Sequence, residues 1–241
     1  MVARCRAVTF DFWNTLVRLE PAVPGERSRH LAAVLRAHGE DTEPEVVDGA
    51  LGHVRERFDE QWRANRQYVL ADAVDDLLRV VGVGASPELT AALRQRWLES
   101  GRAQPVALTE PGVVDVVDEL RRSGLAVGIV CDSGLIPGSV LRGHLERLGL
   151  ADHIDHSSFS DEVGVYKPDS AIFADAFGAL DADADAVVHV GDLYRTDIVG
   201  ARAAGAAAIR YRGVVDDPEA PDGDEGPVIG SLRELSALIC D

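Results

Sequence analysis

The chain has 241 residues, 46% of them hydrophobic, which is enough to bury the core of one large domain or of a core with an insertion. A formal net charge of −17, from 41 acidic against 24 basic residues, argues against nucleic acid and anionic membranes as partners, because both repel a polyanion. No apolar run reaches transmembrane length, the first residues lack a signal-peptide core, and Cys5, Cys131 and Cys240 show no disulfide spacing, so a reducing, cytoplasmic setting is expected.

A small-molecule substrate, even an anionic one, stays compatible with this charge if a metal or local cations bind it. The sequence leaves monomer and homodimer both open.

Residues 7–10 read as a short buried strand that ends at Asp11. Residues 23–100 show helical periodicity instead. Pro24 suits a helix start, and Leu31, Val34 and Leu35 supply an apolar stripe. Pro44 opens a second helix carrying Val46, Val47, Leu51, Val54 and Phe58. Val74, Leu77, Leu78 and Val81 mark a third. Ser86-Pro87-Glu88 supplies the cap, the N1 proline and the first-turn acid of a fourth. Four successive helices predict an all-helical insertion.

From residue 110 strand and helix alternate. Helices are expected over 111–122, 137–148, 170–180 and 196–204, with Asp169 capping the third and Gly149 closing the second. Strands are expected over 125–130, 154–159, 186–190 and 206–210. A last helix covers 232–239. This alternation predicts an α/β fold with a parallel sheet and helices on both faces. Residues 216–226, rich in Asp, Glu, Pro and Gly, read as the most mobile loop.

Ligands of an open parallel sheet bind beyond the carboxyl ends of its strands. Asp11, the Cys131-Asp132-Ser133-Gly134 run and Gly191-Asp192 all fall at such ends. Lys167, the single lysine of the chain, lies in a loop that can reach the same rim. Asp11 and Asp192 suit a hard cation such as Mg²⁺, with Asp197 supporting, since carboxylates brought together repel unless a cation lies between them. A nearby ammonium would balance a phosphoryl group, and a carboxylate can serve as its covalent acceptor. Taken singly, each residue also has an ordinary reading: Asp11 as a turn cap, Lys167 as a solvated loop residue, Cys131 as a small buried hydrophobe and His189 as a packed core histidine. His153 and His156 lack the further ligands of a zinc site.

Together, Phe10-Asp11-Phe12-Trp13-Asn14-Thr15-Leu16, Ile129-Val130-Cys131-Asp132-Ser133, the run from Phe159 to Asp169 and the run from His189 to Ala201 resemble the haloacid dehalogenase-like hydrolase superfamily. The resemblance implies a Rossmann-like core over 1–16 and 106–241 with a helical cap over 17–105. It implies Asp11 as nucleophile, Lys167 as the basic residue steadying nucleophile and phosphate, and Asp192 and Asp197 as metal acids. The Trp13 backbone carbonyl would join the Mg²⁺, while Thr15, Cys131, Asp132 and Ser133 would surround the phosphate.

Two positions depart from the phosphatase pattern. Trp13 stands where an acid/base aspartate is usual, and indole exchanges no proton at neutral pH. Cys131 replaces a serine or threonine, and a thiol is a poorer donor. Three readings follow. The first is a Mg²⁺-dependent phosphohydrolase acting on a small phosphorylated metabolite through an aspartyl phosphate. The second is a metal-independent 2-haloacid dehalogenase, which tolerates an aromatic residue at the Trp13 position. The third is a weakly active or inactive regulatory or interaction module. The Trp13 side chain is expected in the wall between core and cap. Substrate choice is expected in the cap, among Arg27, Arg29, His30, Arg55, Arg63, Arg66 and Tyr68.

Overall fold

The structure is a computed structural model and describes residues 5–221, 223 and 226–239. Cys240, the first four residues, and residues 222, 224 and 225 of the acidic loop lie outside the described residues.

Strand β1 (Ala7–Phe10) is fully buried and leads to β2 (Val17–Leu19). Helices α1 (Glu26–Ala37), α2 (Pro44–Arg63), α3 (Leu70–Val81) and α4 (Pro87–Ala103) come next. Strand β3 (Val106–Leu108) returns antiparallel to β2, pairing Val17 with Leu108. The helical insertion thus leaves and rejoins the core on a two-stranded ribbon, which hydropathy did not reveal because each strand has three residues.

Helix α5 (Val113–Arg122), β4 (Ala126–Cys131), α6 (Gly138–Arg147), β5 (His156–Phe159) and the short α7 (Ser160–Val163) follow. Then come α8 (Ser170–Ala179), β6 (Val187–Gly191), α9 (Val199–Ala203), β7 (Ala207–Tyr211), β8 (Val228–Ile229) and α10 (Leu235–Ile239).

Among the described residues the main sheet has six strands in the order β5-β4-β1-β6-β7-β8, all parallel. Its strands are buried on both faces, so they read as apolar runs. Alternation divides them. Val8, Phe10, Val127, Ile129, Val188 and Val190 share one core cluster with apolar residues of α5, α6 and α10. Ala7, Val130 and Val187 join Ile172, Phe173 and Ala201 of α8 and α9 on the other face. Helices therefore cover both faces, as the sequence predicts.

The insertion packs around its own core of Leu31, Leu35, Val47, Val54, Leu77 and Trp97. Ser86 caps α4 by accepting the Leu89 N–H at 3.2 Å. Val46, placed in the α2 stripe by its neighbours, is exposed, while Val47, Ala50 and Val54 carry the buried side. No helix among the described residues is long and apolar enough to cross a membrane.

Part of the acidic loop is anchored. Asp217 is buried, and its carboxylate accepts from the backbone N–H of Tyr194 at 2.7 Å and of Glu219 at 2.9 Å.

Candidate active site

Strand order reverses at β1, which lies between β4 and β6, so a crevice opens at their carboxyl ends. Asp11 is the first residue past β1, and its N–H still follows the sheet, donating to the Val190 carbonyl at 2.8 Å. Lys167 comes from the loop between α7 and α8. Its N–H donates to Asp132 Oδ1 at 2.8 Å. Its ammonium donates to Asp11 Oδ1 and to Asp197 Oδ1, each at 2.6 Å, in a pocket where Lys167 is only 2% exposed.

Close packing makes that convergence possible. Gly191 ends β6, and a Cβ there would fall 2.3 Å from Asp197 Cγ. A Cβ on Gly200 would fall 3.0 Å from Pro168 Cα, so α9 can lie against the lysine loop only with glycine at this point. The expected helix over 196–204 begins instead as a wide π-helical turn, Tyr194–Ile198. In this turn Asp197 folds back to accept the Leu193 N–H at 2.9 Å. Such turns recur at functional sites.

His189 is the packed core histidine that the sequence suggests, with no exposure and its ring edge-on to Phe173. It also belongs to the polar network, with Nε2 3.1 Å from Asp197 Oδ1 and Nδ1 2.9 Å from Thr9 Oγ1. A carboxylate only accepts, so Nε2 carries the proton and Nδ1 accepts from the Thr9 hydroxyl. Burial holds the His189 pKa down against the pull of Asp197, which keeps the ring neutral.

One ammonium serves three carboxylates. Ligand oxygens of Asp11, Asp192 and Asp197 lie within 4.8 Å of one another. Burial opposes the charge of Asp197, yet Lys167 and His189 outweigh it and hold its pKa below the carboxylate range. Burial raises that of Asp11 well above its ordinary value, despite Lys167. Burial works against the Lys167 charge too, but Asp11 and Asp197 raise its pKa well above normal, so it stays an ammonium. Asp192 is pushed up to about 7, by burial first and then by the Asp197 charge. Its side-chain partner is Asn14, at 3.4 Å.

These donors fit Mg²⁺: they are hard oxygens, and their charge exceeds what the lysine balances. Asp197 already accepts from Lys167, His189 and Leu193. Asp11 and Asp192 retain oxygens for a cation.

The remaining expected residues divide. Trp13, Asp132 and Ser133 line a cavity of about 840 Å³ between the core and the helical insertion, together with Asp11, Asn14, Lys167 and Asp192. Trp13 is half-buried and packs edge-on against Phe12. Thr15 is buried, its carbonyl accepting from Thr109 at 2.8 Å, and among the described residues its hydroxyl has no partner. Cys131 shares the face of Val127 and Ile129 and lies in the core cluster, where burial raises its thiol pKa well above normal. The Ser133 hydroxyl donates to Asp161 Oδ1 at 2.5 Å and accepts the Asp161 N–H at 3.1 Å, so it braces the loop.

Sequence reasoning missed the contacts that seat the insertion on the core. Trp62 Nε1 donates to Asp132 Oδ2 at 2.8 Å, with Arg195 stacked 4.3 Å over the indole. Arg195 also donates to Asn65 at 2.8 Å. The Tyr166 hydroxyl donates to the Tyr68 carbonyl at 2.9 Å and accepts the Tyr68 N–H at 3.2 Å. Helical spacing places Trp62 one turn beyond Phe58, but no local signal pairs it with Asp132.

Residues 5–205 match the haloacid dehalogenase-like hydrolase family. Phosphoserine phosphatase of Thermus thermophilus is 30% identical over 70% of this chain, and the match spans 63% of that protein. Glyceraldehyde 3-phosphate phosphatase of Methanopyrus kandleri is 28% identical over 97% of each chain. The fold is also that of a 2-haloacid dehalogenase from Pseudomonas syringae, with a TM-score of 0.70 at 24% identity over 98% of each chain. The chain belongs to the haloacid dehalogenase-like hydrolases, and its buried Asp11, Asp192 and Asp197 cluster is consistent with the divalent-metal site of that family.

Proposed function

We propose that this hydrolase is a Mg²⁺-dependent phosphohydrolase of a small phosphorylated metabolite, with Asp11 as nucleophile and no side-chain acid at position 13. The observation that carries the reading is the Lys167 ammonium, 2.6 Å from both Asp11 and Asp197 and beside the unbalanced Asp192. Two phosphatases among the relatives support phosphate esters as the substrate class.

The Asp11 carboxylate attacks phosphorus while the bond from phosphorus to the leaving oxygen breaks. Lys167 holds Asp11 in place and sets a positive charge beside the phosphoryl oxygens. Asp197, fixed by His189 and the Leu193 N–H, holds the lysine from its other side. A Mg²⁺ held by Asp11, Asp192 and the Trp13 carbonyl would neutralise phosphoryl charge. Water then attacks the aspartyl phosphate, releasing phosphate and restoring Asp11. Because Trp13 gives no proton, the leaving oxygen departs unaided or takes its proton from solvent. A missing general acid costs about 10²–10⁴-fold. Acyl and aryl phosphates are therefore better substrates than alkyl esters. The dehalogenase reading has Trp13 in its favour, but it leaves the buried Asp192 charge without a counter-ion beside an anionic substrate.

Acetyl phosphate, an aryl phosphate and an alkyl phosphate, assayed with Mg²⁺ and with EDTA, test this reading. Turnover of the first two, lost in EDTA, is expected. Halide release from 2-haloacids in EDTA would favour the dehalogenase, and no turnover on any substrate would favour the module.

A further inference from the structure

The insertion presents two arginines to the same cavity as Asp11 and Lys167. Arg27, near the start of α1, and Arg55, in α2, both line it. Arg27 is half-buried, with its guanidinium 5.5 Å from the centre of the Trp97 ring. Burial, and then the charge of Arg55, lower the Arg27 pKa. The insertion also contributes Glu26, Asp48 and Asp59 to the lining, yet among the described residues none lies within ion-pair distance of either arginine. Elsewhere this chain pairs its arginines readily, as Arg142 with Glu162 and Arg57 with Glu60. Two guanidinium groups that line one cavity and, among the described residues, carry no ion pair offer the N–H donors with which arginine binds an anion.

We infer that Arg27 and Arg55 form a second anion subsite, and that the ligand is a phosphate ester whose far end carries another anionic group, a carboxylate or a second phosphate. The inference rests on the phosphohydrolase reading for the first phosphate, which sits at Asp11 and Lys167 on the core. The second anion sits under the insertion. One ligand then ties the two parts together, and an ester without the second charge leaves the arginines unsatisfied.

The test is calorimetric binding to the Asp11→Asn protein with Mg²⁺. Diol bisphosphates from ethylene glycol to hexanediol are compared with the monophosphate of each diol, and with ω-phosphooxy carboxylates of matching length. At one or more lengths a doubly anionic ligand should bind about tenfold or more tightly than the monophosphate. Which of the two series gains identifies the second group. Arg55→Gln, on an exposed side chain, should abolish that gain and leave monophosphate affinity within about twofold. Arg27→Gln should act likewise, and a folded Arg55→Gln protein decides the matter if Arg27→Gln disturbs Trp97. Equal binding of single and double anions at every length, or a gain that survives both substitutions, would overturn the subsite. If monophosphates do not bind but double anions bind in an Arg55-dependent way, the subsite stands and the phosphohydrolase reading fails.

Discussion

Lys167 Nζ donates to Asp11 Oδ1 at 2.6 Å across 156 residues of sequence, and both groups are buried. The same ammonium bonds Asp197. An ion pair taken out of water gains little stability by itself, because desolvation offsets the attraction, but losing one partner strands the other's charge.

Lys167→Met should therefore destabilise the protein by about 3–5 kcal/mol near neutral pH. The loss should shrink in mild acid, where the stranded carboxylates can protonate, and in the Lys167→Met/Asp11→Asn double variant, which removes one of them. Urea unfolding at two pH values checks this. A loss that is equal at both, and unrelieved by Asp11→Asn, would show that the cost is packing alone.

Asp192 gives a pH signature. Its pKa rises from an ordinary 3.8 to about 7 on folding. Between these values the folded state holds more protons than the unfolded state, so metal-free stability falls as pH rises from about 4 to about 7 and is level above. Asp192→Asn should flatten that slope and make the metal-free protein more stable at pH 8, by up to about 4 kcal/mol. Mg²⁺ should raise wild-type stability at that pH and leave Asp192→Asn unchanged. Parallel pH curves for the two proteins would contradict the assignment.

Much of this site was legible in the sequence, because its groups lie at places where topology and local pattern agree. Apolar runs ending in Asp11, Cys131 and Gly191 placed three strand ends on one rim, and helical periodicity marked out the insertion. Contacts between elements were not legible. The sequence leaves Cys131 open between a small buried hydrophobe and a phosphate contact, and the parity of β4, which an apolar run on both faces conceals, puts it on the core side. Ser133 is held by Asp161, 28 residues further on. The role of His189 depends on Asp197 returning through a wide turn. The β2–β3 ribbon and β8 are too short for period-two alternation to register.

Trp13 lines the cavity between core and insertion. Trp13→Asp would place a carboxyl two residues after Asp11. The ratio of kcat/KM for an alkyl phosphate to that for an aryl phosphate should then rise, by about tenfold or more, because only the alkyl leaving group depends strongly on a proton. An unchanged ratio in a folded, Mg²⁺-binding variant would show that the missing acid does not limit this site.

The most direct test of the account is acid-quenched single turnover of an aryl phosphate with Mg²⁺, followed by peptide mass spectrometry. The account predicts one phosphoryl group on the peptide containing Asp11 at early times, lost as phosphate appears. Asp11→Asn should show neither the adduct nor turnover. Undiminished turnover in Asp11→Asn, with no adduct on the wild-type peptide, would contradict Asp11 as the nucleophile.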